Sequence, residues 1–179
     1  MEEASLPRVL AYVFWHRPAP AVAGYESGLV AFHEALRAHP PTGFRSSRSF
    51  RLDAAPWLAG EGTPYEDWYV VDSWAALGAL NLGAVSGARS TPHDAVARLS
   101  REGAGGVYAP VRGDEPRSGT VAWLAKPPEM SYVEFHAALA GHGAVWQRQM
   151  VLGPAAEYVV EEPAETLPWP AAAIRREAL

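Results

Sequence analysis

The sequence contains no cysteine in its 179 residues. This absence excludes structural disulfides, thiolate metal ligands and a nucleophilic thiol, and it is typical of proteins from a reducing compartment. Long apolar runs are lacking too. The longest, Val9 to Trp15, is far shorter than the roughly 20 residues that a membrane-spanning helix needs. Because the first residues, Met1 to Ser5, also lack the pattern of a secretory signal, we expect a soluble cytoplasmic protein without a membrane partner.

Positive charge is scarce as well. The chain has 15 lysines and arginines against 20 acidic residues, which gives a net charge of −5. Binding to nucleic acid needs a basic face, so we expect no nucleic-acid partner. Nucleotide and hydrolase motifs are also absent: the sequence has no phosphate-binding loop, no Gly-x-Gly-x-x-Gly after the first strand and no Gly-x-Ser-x-Gly.

One motif occurs twice. The segments Phe32 to His39 and Phe135 to His142 both fit Phe-His-x-Ala-Leu-x-x-His. An aromatic run ending in proline precedes each copy, and a strand-like run with an arginine follows it. We interpret the chain as one duplicated unit whose second copy is cut short.

Hydrophobic periodicity predicts the elements of both copies. In the first copy we expect strands at 8–16, 44–52, 66–72 and 106–111, and helices at 24–38, 72–86 and 91–103. In the second we expect strands at 121–125, 146–152 and 158–160, and a helix that begins with a capping box at Ser131. The first strand is apolar on both faces, so it should be covered on both sides. For 163–179 we predict a connector and a short helix.

This element order divides the chain into a complete ferredoxin-like unit at 1–111, a linker at 112–119, a partial repeat at 120–162 and a tail at 163–179. The predicted fold class is therefore α+β, with tandem ferredoxin-like units. We expect the two units to form one compact domain.

The order and the repeat, over Arg8 to Glu161, resemble the dimeric α/β barrel superfamily. In that superfamily two ferredoxin-like units press their open sheet faces together around a small cavity. Its members include cofactor-free monooxygenases, lactone isomerases, haem enzymes and ligand-sensing domains, so the resemblance does not select one function. Because the second copy lacks its last helix and strand, one chain or a homodimer could close the barrel.

The resemblance implies that a small aromatic or anionic molecule binds between the sheets. We expect His16, at the end of the first strand, to be the catalytic base, unless it is only a surface histidine. Arg48 and Arg148 hold equivalent strand positions and would clamp an anion; the alternative is that both extend from the sheet edges or pair with acidic residues.

Aromatic walls of the cavity would come from Tyr12, Trp68 and Tyr69, and Asp67 beside them could add a carboxylate. The alternative is that the tryptophan and the tyrosines are ordinary core residues. No cofactor is expected. A haem protein with His136 or His142 as iron ligand is one alternative, and a non-catalytic interaction module is another. The face of the strand Phe44–Leu52 that lines the cavity stays open.

Overall fold

The computed structural model describes residues 8–20, 23–163 and 167–179, and in these residues the chain forms eight strands and four short helices. The strands are β1 (Leu10–Pro18), β2 (Phe44–Leu52), β3 (Tyr65–Val71), β4 (Ser100–Arg112), β5 (Gly119–Leu124), β6 (Val145–Arg148), β7 (Tyr158–Glu161) and β8 (Ala171–Ala178). The helices are α1 (Tyr25–Ala38), α2 (Trp74–Gly83), α3 (Ser90–Ala97) and α4 (Tyr132–Ala138), and a 3₁₀ turn (Gly87–Arg89) precedes α3.

All eight strands belong to one closed barrel. Their order around it is β1-β3-β2-β8-β5-β7-β6-β4, and every neighbouring pair is antiparallel. The predicted α+β class, with tandem ferredoxin-like units in a dimeric α/β barrel arrangement, is therefore wrong. That prediction assumed two sheets that meet face to face. Instead, the edge strand β2 forms hydrogen bonds with β8, and the edge strand β4 forms hydrogen bonds with β6. These pairings join all strands into one mostly-β barrel.

Strand β8 is a second correction, because a connector and a short helix were predicted there. Residues 171–178 pair with β2 on one side and with β5 on the other. The alternation along the strand explains why: Ile174 and Arg176 are buried, whereas Arg175 and Glu177 are exposed. A period of two is a strand pattern, and the alanines and arginines concealed it.

Strand β1 has both faces covered, as predicted. Ala11, Val13 and Trp15 point into the barrel core. The alternate residues face the helices on the outside, where Leu10 and His16 are fully covered. The same alternation governs β2, whose Phe50 belongs to the barrel core.

Aromatic side chains fill the barrel. Trp15, Trp68, Trp123 and Trp146 are all buried there, and Tyr108 packs edge-on against Trp123 at 5.5 Å between ring centroids. Large rings of this kind supply most of the buried area of a small core. The interior is therefore a packed core.

A charged network lies among these rings. The guanidinium of Arg176 is 2.7 Å from Glu66 through Nε and 2.6 Å from Glu161 through Nη1. The indole nitrogens of Trp15 and Trp68 donate to the two oxygens of Glu66, at 2.7 and 2.6 Å. Burial of these charges is tolerable because each carboxylate meets a donor or a cation.

Helices cover the outside of the barrel in two places. Helix α1 lies with α2 and α3 over β1, β3 and β4, and it buries the predicted stripe of Tyr25, Leu29, Phe32 and Leu36. Helix α4 covers β5, β6 and β7, and its predicted capping box at Ser131 is confirmed. The helix predicted at 91–103 is shorter, because α3 begins at Ser90, with Arg89 as its N-cap, and ends at Ala97.

Candidate functional site

A pocket lies between the barrel wall and the three helices on the first side. Its volume is about 670 Å³, which is within the usual range for small-molecule sites. Most of its wall is apolar, including Leu29, Phe32, Leu77 and Val107. Its polar groups include those of His16, Asp67, Tyr12, Tyr25 and Tyr69, and the wall also contains Asn81, His93 and Ser100.

The carboxylate of Asp67 is the centre of this polar group. The residue is 3% exposed and sits on the outward face of β3. Its Oδ2 lies 3.1 Å from Nε2 of His16, and its Oδ1 lies 3.4 Å from Nε2 of His33. Two buried imidazoles thus contact the two oxygens of one buried carboxylate.

Hydroxyl groups extend this centre. Tyr25, in the first turn of α1, places its hydroxyl 2.5 Å from Nδ1 of His16. The hydroxyl of Tyr69 donates to Oδ2 of Asp67 at 3.0 Å. On the far side, Nδ1 of His33 is 2.7 Å from Oγ of Ser47. The result is a continuous polar chain, Tyr25–His16–Asp67–His33–Ser47.

The acidities of these groups follow from their surroundings. Burial alone would raise the pKa of Asp67, but the neighbouring imidazoles of His16 and His33 outweigh it and hold the pKa well below its usual range. Burial raises the pKa of Tyr25 to about 12, and that of Tyr69 rises well above 10 because of burial and the Asp67 charge. At neutral pH the site therefore contains one carboxylate and neutral phenols.

A second concavity lies on the opposite side of His33. It is a polar groove of about 350 Å³ between α1 and the outer surface around β2. Both His33 and Ser47 line it, together with Arg37, Arg45 and Ser49. The two concavities thus flank the buried histidine–carboxylate centre.

Three of the residues predicted as site residues line the helix-covered pocket. They are His16, Tyr12 and Tyr69. Trp68 does not join them, because the pleat of β3 turns its ring into the barrel core and towards Glu66. The catalytic role predicted for His16 stays a prediction, although both of its ring nitrogens are now seen to contact protein groups.

The two arginines of the predicted anion clamp lie outside the walls of the helix-covered pocket. The side chain of Arg48 is 54% exposed and lies 3.9 Å from Glu115. Arg148 donates to the carbonyl oxygens of Gly153 and Ala155, at 3.0 and 2.6 Å. Among the described residues that line the pocket, none is an arginine or a lysine.

The histidines named for the haem alternative lie near α4. Nε2 of His136 is 2.9 Å from the hydroxyl of Tyr158. His142 follows the helix, and its carbonyl oxygen accepts a hydrogen bond from Arg112. Across the described ranges, no cluster of three or more His, Cys, Asp or Glu side chains could hold a metal ion.

Sequence reasoning missed Tyr25 and His33 as site residues and named Asp67 only as a possible addition. A usable signal existed. His16 and Asp67 both lie on the outward faces of their strands, and the Tyr25–His33 spacing places both side chains on the barrel-facing side of α1. What the sequence did not provide was the fact that α1 crosses β3 at this point.

No protein-family model matches the chain, and neither does any curated protein. In the part of the chain that the structure describes, no helix has the length and apolar character needed to cross a bilayer.

Proposed function

We propose that this protein binds a small, mostly apolar, neutral molecule in the helix-covered pocket and transfers a proton to or from it. The observation that carries the proposal is the contact of Tyr25 with His16, which in turn contacts the buried carboxylate of Asp67. Carboxylate, imidazole and hydroxyl in series form the arrangement that activates a hydroxyl for proton transfer.

The pocket itself defines the ligand class. Its wall is largely aliphatic and aromatic, and the part of the chain that the structure describes contributes no lysine or arginine to it. A permanent anion would lose its hydration there without gaining a cation. We therefore favour a neutral ligand with one carbonyl or hydroxyl group over the anionic ligand of the sequence prediction.

The proton transfer can be written with all atoms balanced. The hydroxyl of Tyr25 donates to Nδ1 of His16 when that imidazole is neutral and protonated on Nε2. An acidic C–H or O–H of the ligand gives its proton to the Tyr25 oxygen while the phenolic proton moves to His16. The imidazolium that forms lies 3.1 Å from the Asp67 carboxylate, which stabilises it.

Isomerisation by enol formation is the simplest reaction of this type, because it needs no second reactant. A cofactor-free monooxygenase would begin with the same proton abstraction but would also need dioxygen.

We also propose that the protein is located in the cytoplasm.

Deuterium incorporation tests the chemistry without knowledge of the natural substrate. Phenylacetone is small, neutral and aromatic, and its α-protons exchange with D₂O once they are abstracted. Proton NMR should show faster α-exchange with the protein than without it. Tyr25→Phe should remove about 99% or more of this acceleration, since a positioned acid–base group contributes about 10² to 10⁴ in rate.

Two controls separate binding from chemistry. Tyr132→Phe removes a phenol on α4 whose hydroxyl contacts Glu157 away from the pocket, and it should leave the exchange rate unchanged. Nile red fluorescence reports occupancy of the pocket and should respond equally in Tyr25→Phe and in the unmodified protein. Equal exchange rates in Tyr25→Phe and the unmodified protein would refute proton transfer by this residue, and the pocket would then be a binding site only.

A further inference from the structure

We propose that the polar groove between α1 and β2 binds a phosphate group, either free or as the monoester of a small molecule. This inference is independent of the proposed function, because the groove and the helix-covered pocket share no lining residue. It assigns a role to a group of arginines that the proton transfer at Tyr25 does not use.

The charges around the groove carry the first step of the argument. Three arginines line it, Arg37 in the last turn of α1 and Arg45 and Arg48 on β2. Among the described lining residues, none is an aspartate or a glutamate. Asp67 lies behind His33 and lines the pocket on the other side. The side chains of the groove therefore have an excess of positive charge, which attracts anions.

The arginines of the groove still have donors to offer, in contrast to their neighbour Arg51. The guanidinium of Arg51 donates through Nε and Nη2 to Glu26 and through Nη1 to Glu177. Arg45 forms its hydrogen bond to Asp72 through Nε alone. Its two terminal nitrogens therefore remain able to bind an oxyanion.

The other two arginines are bound even less tightly by carboxylates. The closest contact of Arg48 with a carboxylate is 3.9 Å, to Glu115, which is longer than a hydrogen bond. Arg37 is exposed, and within the described residues no ion pair joins it to an acidic side chain. Most of the donor capacity of the groove is thus unused.

A buried hydroxyl provides an independent observation. Ser49 is only 7% exposed and lines the groove, and in the part of the chain that the structure describes its Oγ has no hydrogen-bond partner. It lies opposite Asp67 on β3 but does not donate to that carboxylate. Because buried hydroxyls usually have a partner, a ligand in the groove would supply the missing acceptor.

The combination of donors favours phosphate among the anions. A guanidinium can donate two parallel N–H bonds to one oxyanion, and each serine hydroxyl can donate one more. Phosphate has enough oxygens to accept from several of these groups at once, whereas a carboxylate has only two. The groove has a volume of about 350 Å³, which is within the range for small-molecule sites, so it also has room for a small organic body.

Calorimetric titration of the full chain tests the site, with inorganic phosphate and phenyl phosphate as probes in a low-salt buffer. Arg37→Gln removes one cation without breaking an ion pair of the described residues, and it should weaken phosphate binding about tenfold or more. Ser49→Ala removes only the unpartnered hydroxyl and should weaken binding about threefold or more. The matched control is Arg175→Gln, which changes the net charge equally at an exposed position outside the groove and should bind phosphate like the unmodified protein.

A third variant should change the affinity in the opposite direction. The carboxylate of Glu115 accepts from the hydroxyl of Ser46 at 2.7 and 2.8 Å and lies near Arg48, so it competes with a ligand for two groups of the groove. Glu115→Gln should therefore bind phosphate more tightly. Weaker binding in this variant would contradict the proposal, because Glu115 would then be helping to build the site.

The two probes distinguish the sources of the phosphate group. Equal affinities would indicate free phosphate as the ligand, and tighter binding of phenyl phosphate would indicate a monoester. The proposal is overturned if neither probe binds at millimolar concentration, or if Arg175→Gln weakens binding as much as Arg37→Gln, which would show unspecific attraction. Neither result affects the proton transfer at Tyr25, which the exchange of phenylacetone tests separately.

Discussion

Glu66 and Asp67 are adjacent in the chain, but their carboxylates lie on opposite sides of the barrel wall. Glu66 points inward, where it meets Arg176 and two indole donors. Asp67 points outward, where it meets two histidines and the hydroxyl of Tyr69. The two-residue repeat of strand β3 therefore places one buried carboxylate in the structural core and the next in the candidate site.

Replacing Asp67 by Asn should destabilise the protein by about 3 kcal/mol at pH 7, because two buried histidines lose their charged partner.

The stability that the Asp67 carboxyl contributes depends on pH in a definite direction. The pKa of this carboxyl is lowered in the folded state, so its contribution to stability is present above about pH 4 and is lost as the pH falls below that. The free energy of unfolding, measured with urea at several pH values, should decrease less steeply below about pH 4 in the variant than in the unmodified protein. Asp72→Asn is the control, since this exposed partner of Arg45 should change stability by less than about 1 kcal/mol.

Replacing Arg176 by Met should cost about 3–5 kcal/mol, because Glu66 and Glu161 would be left in the barrel without a cation. The adjacent Arg175→Met tests the specificity of the effect, since the Arg175 side chain is exposed on the same strand. Its free energy of unfolding should change by no more than about 0.5 kcal/mol. A similar loss in both variants would contradict the buried network.

The carboxyl of Glu161 should make the protein less stable as the pH rises. Burial raises its pKa in the folded state, and Arg176 offsets only part of that effect. A raised pKa means that stability is complete below the unfolded value of about 4.5 and decreases as the pH rises through the folded value.

The measurement for this prediction is a difference between variants. Glu161→Gln should gain stability relative to the unmodified protein as the pH increases from about 4.5 to 7. Its exposed neighbour provides the matched variant, and Glu162→Gln should show no such trend. A constant difference between Glu161→Gln and the unmodified protein would argue against the raised pKa.

Two glycine-to-alanine substitutions should change stability in opposite directions. Gly43 has a φ of +73°, and an added Cβ would lie 2.5 Å from the Cβ of Ala76 on α2, so Gly43→Ala should destabilise by at least about 1–2 kcal/mol. Gly78 lies within α2 with free space around a Cβ, so Gly78→Ala should stabilise by about 0.5–1 kcal/mol. Thermal unfolding of both variants measures the contrast, and a shift of the same sign in both would contradict it.

Local patterns in the sequence were sufficient for the strands and helices that have a clear period. The stripe from Tyr25 to Leu36, the two covered faces of β1 and the capping box at Ser131 are all as predicted. The barrel was not predictable in this way, because its closure depends on β8, whose Ala- and Arg-rich sequence resembles a helix. Pairings such as Leu52 with Arg176 join segments that no local pattern relates.

The candidate site was predictable only in part for the same reason. His16, Tyr12 and Tyr69 were found because aromatic and imidazole groups at strand positions are conspicuous. Tyr25 and His33, which contact the centre of the site, belong to α1. In the sequence, Tyr25 was part of an apolar stripe and His33 stood beside that stripe. Their proximity to Asp67 results from the packing of α1 against the sheet, which is a tertiary property.

The pairing of β8 with β2 also constrains the order of events during folding. The wall between β2 and β5 cannot form before residues 171–178 have been synthesised, and β8 also brings the guanidinium that neutralises Glu66. Until then the nascent chain exposes two strand edges and contains a carboxylate without its cation. On the ribosome, the barrel should therefore stay open until β8 emerges and then close in a single cooperative step.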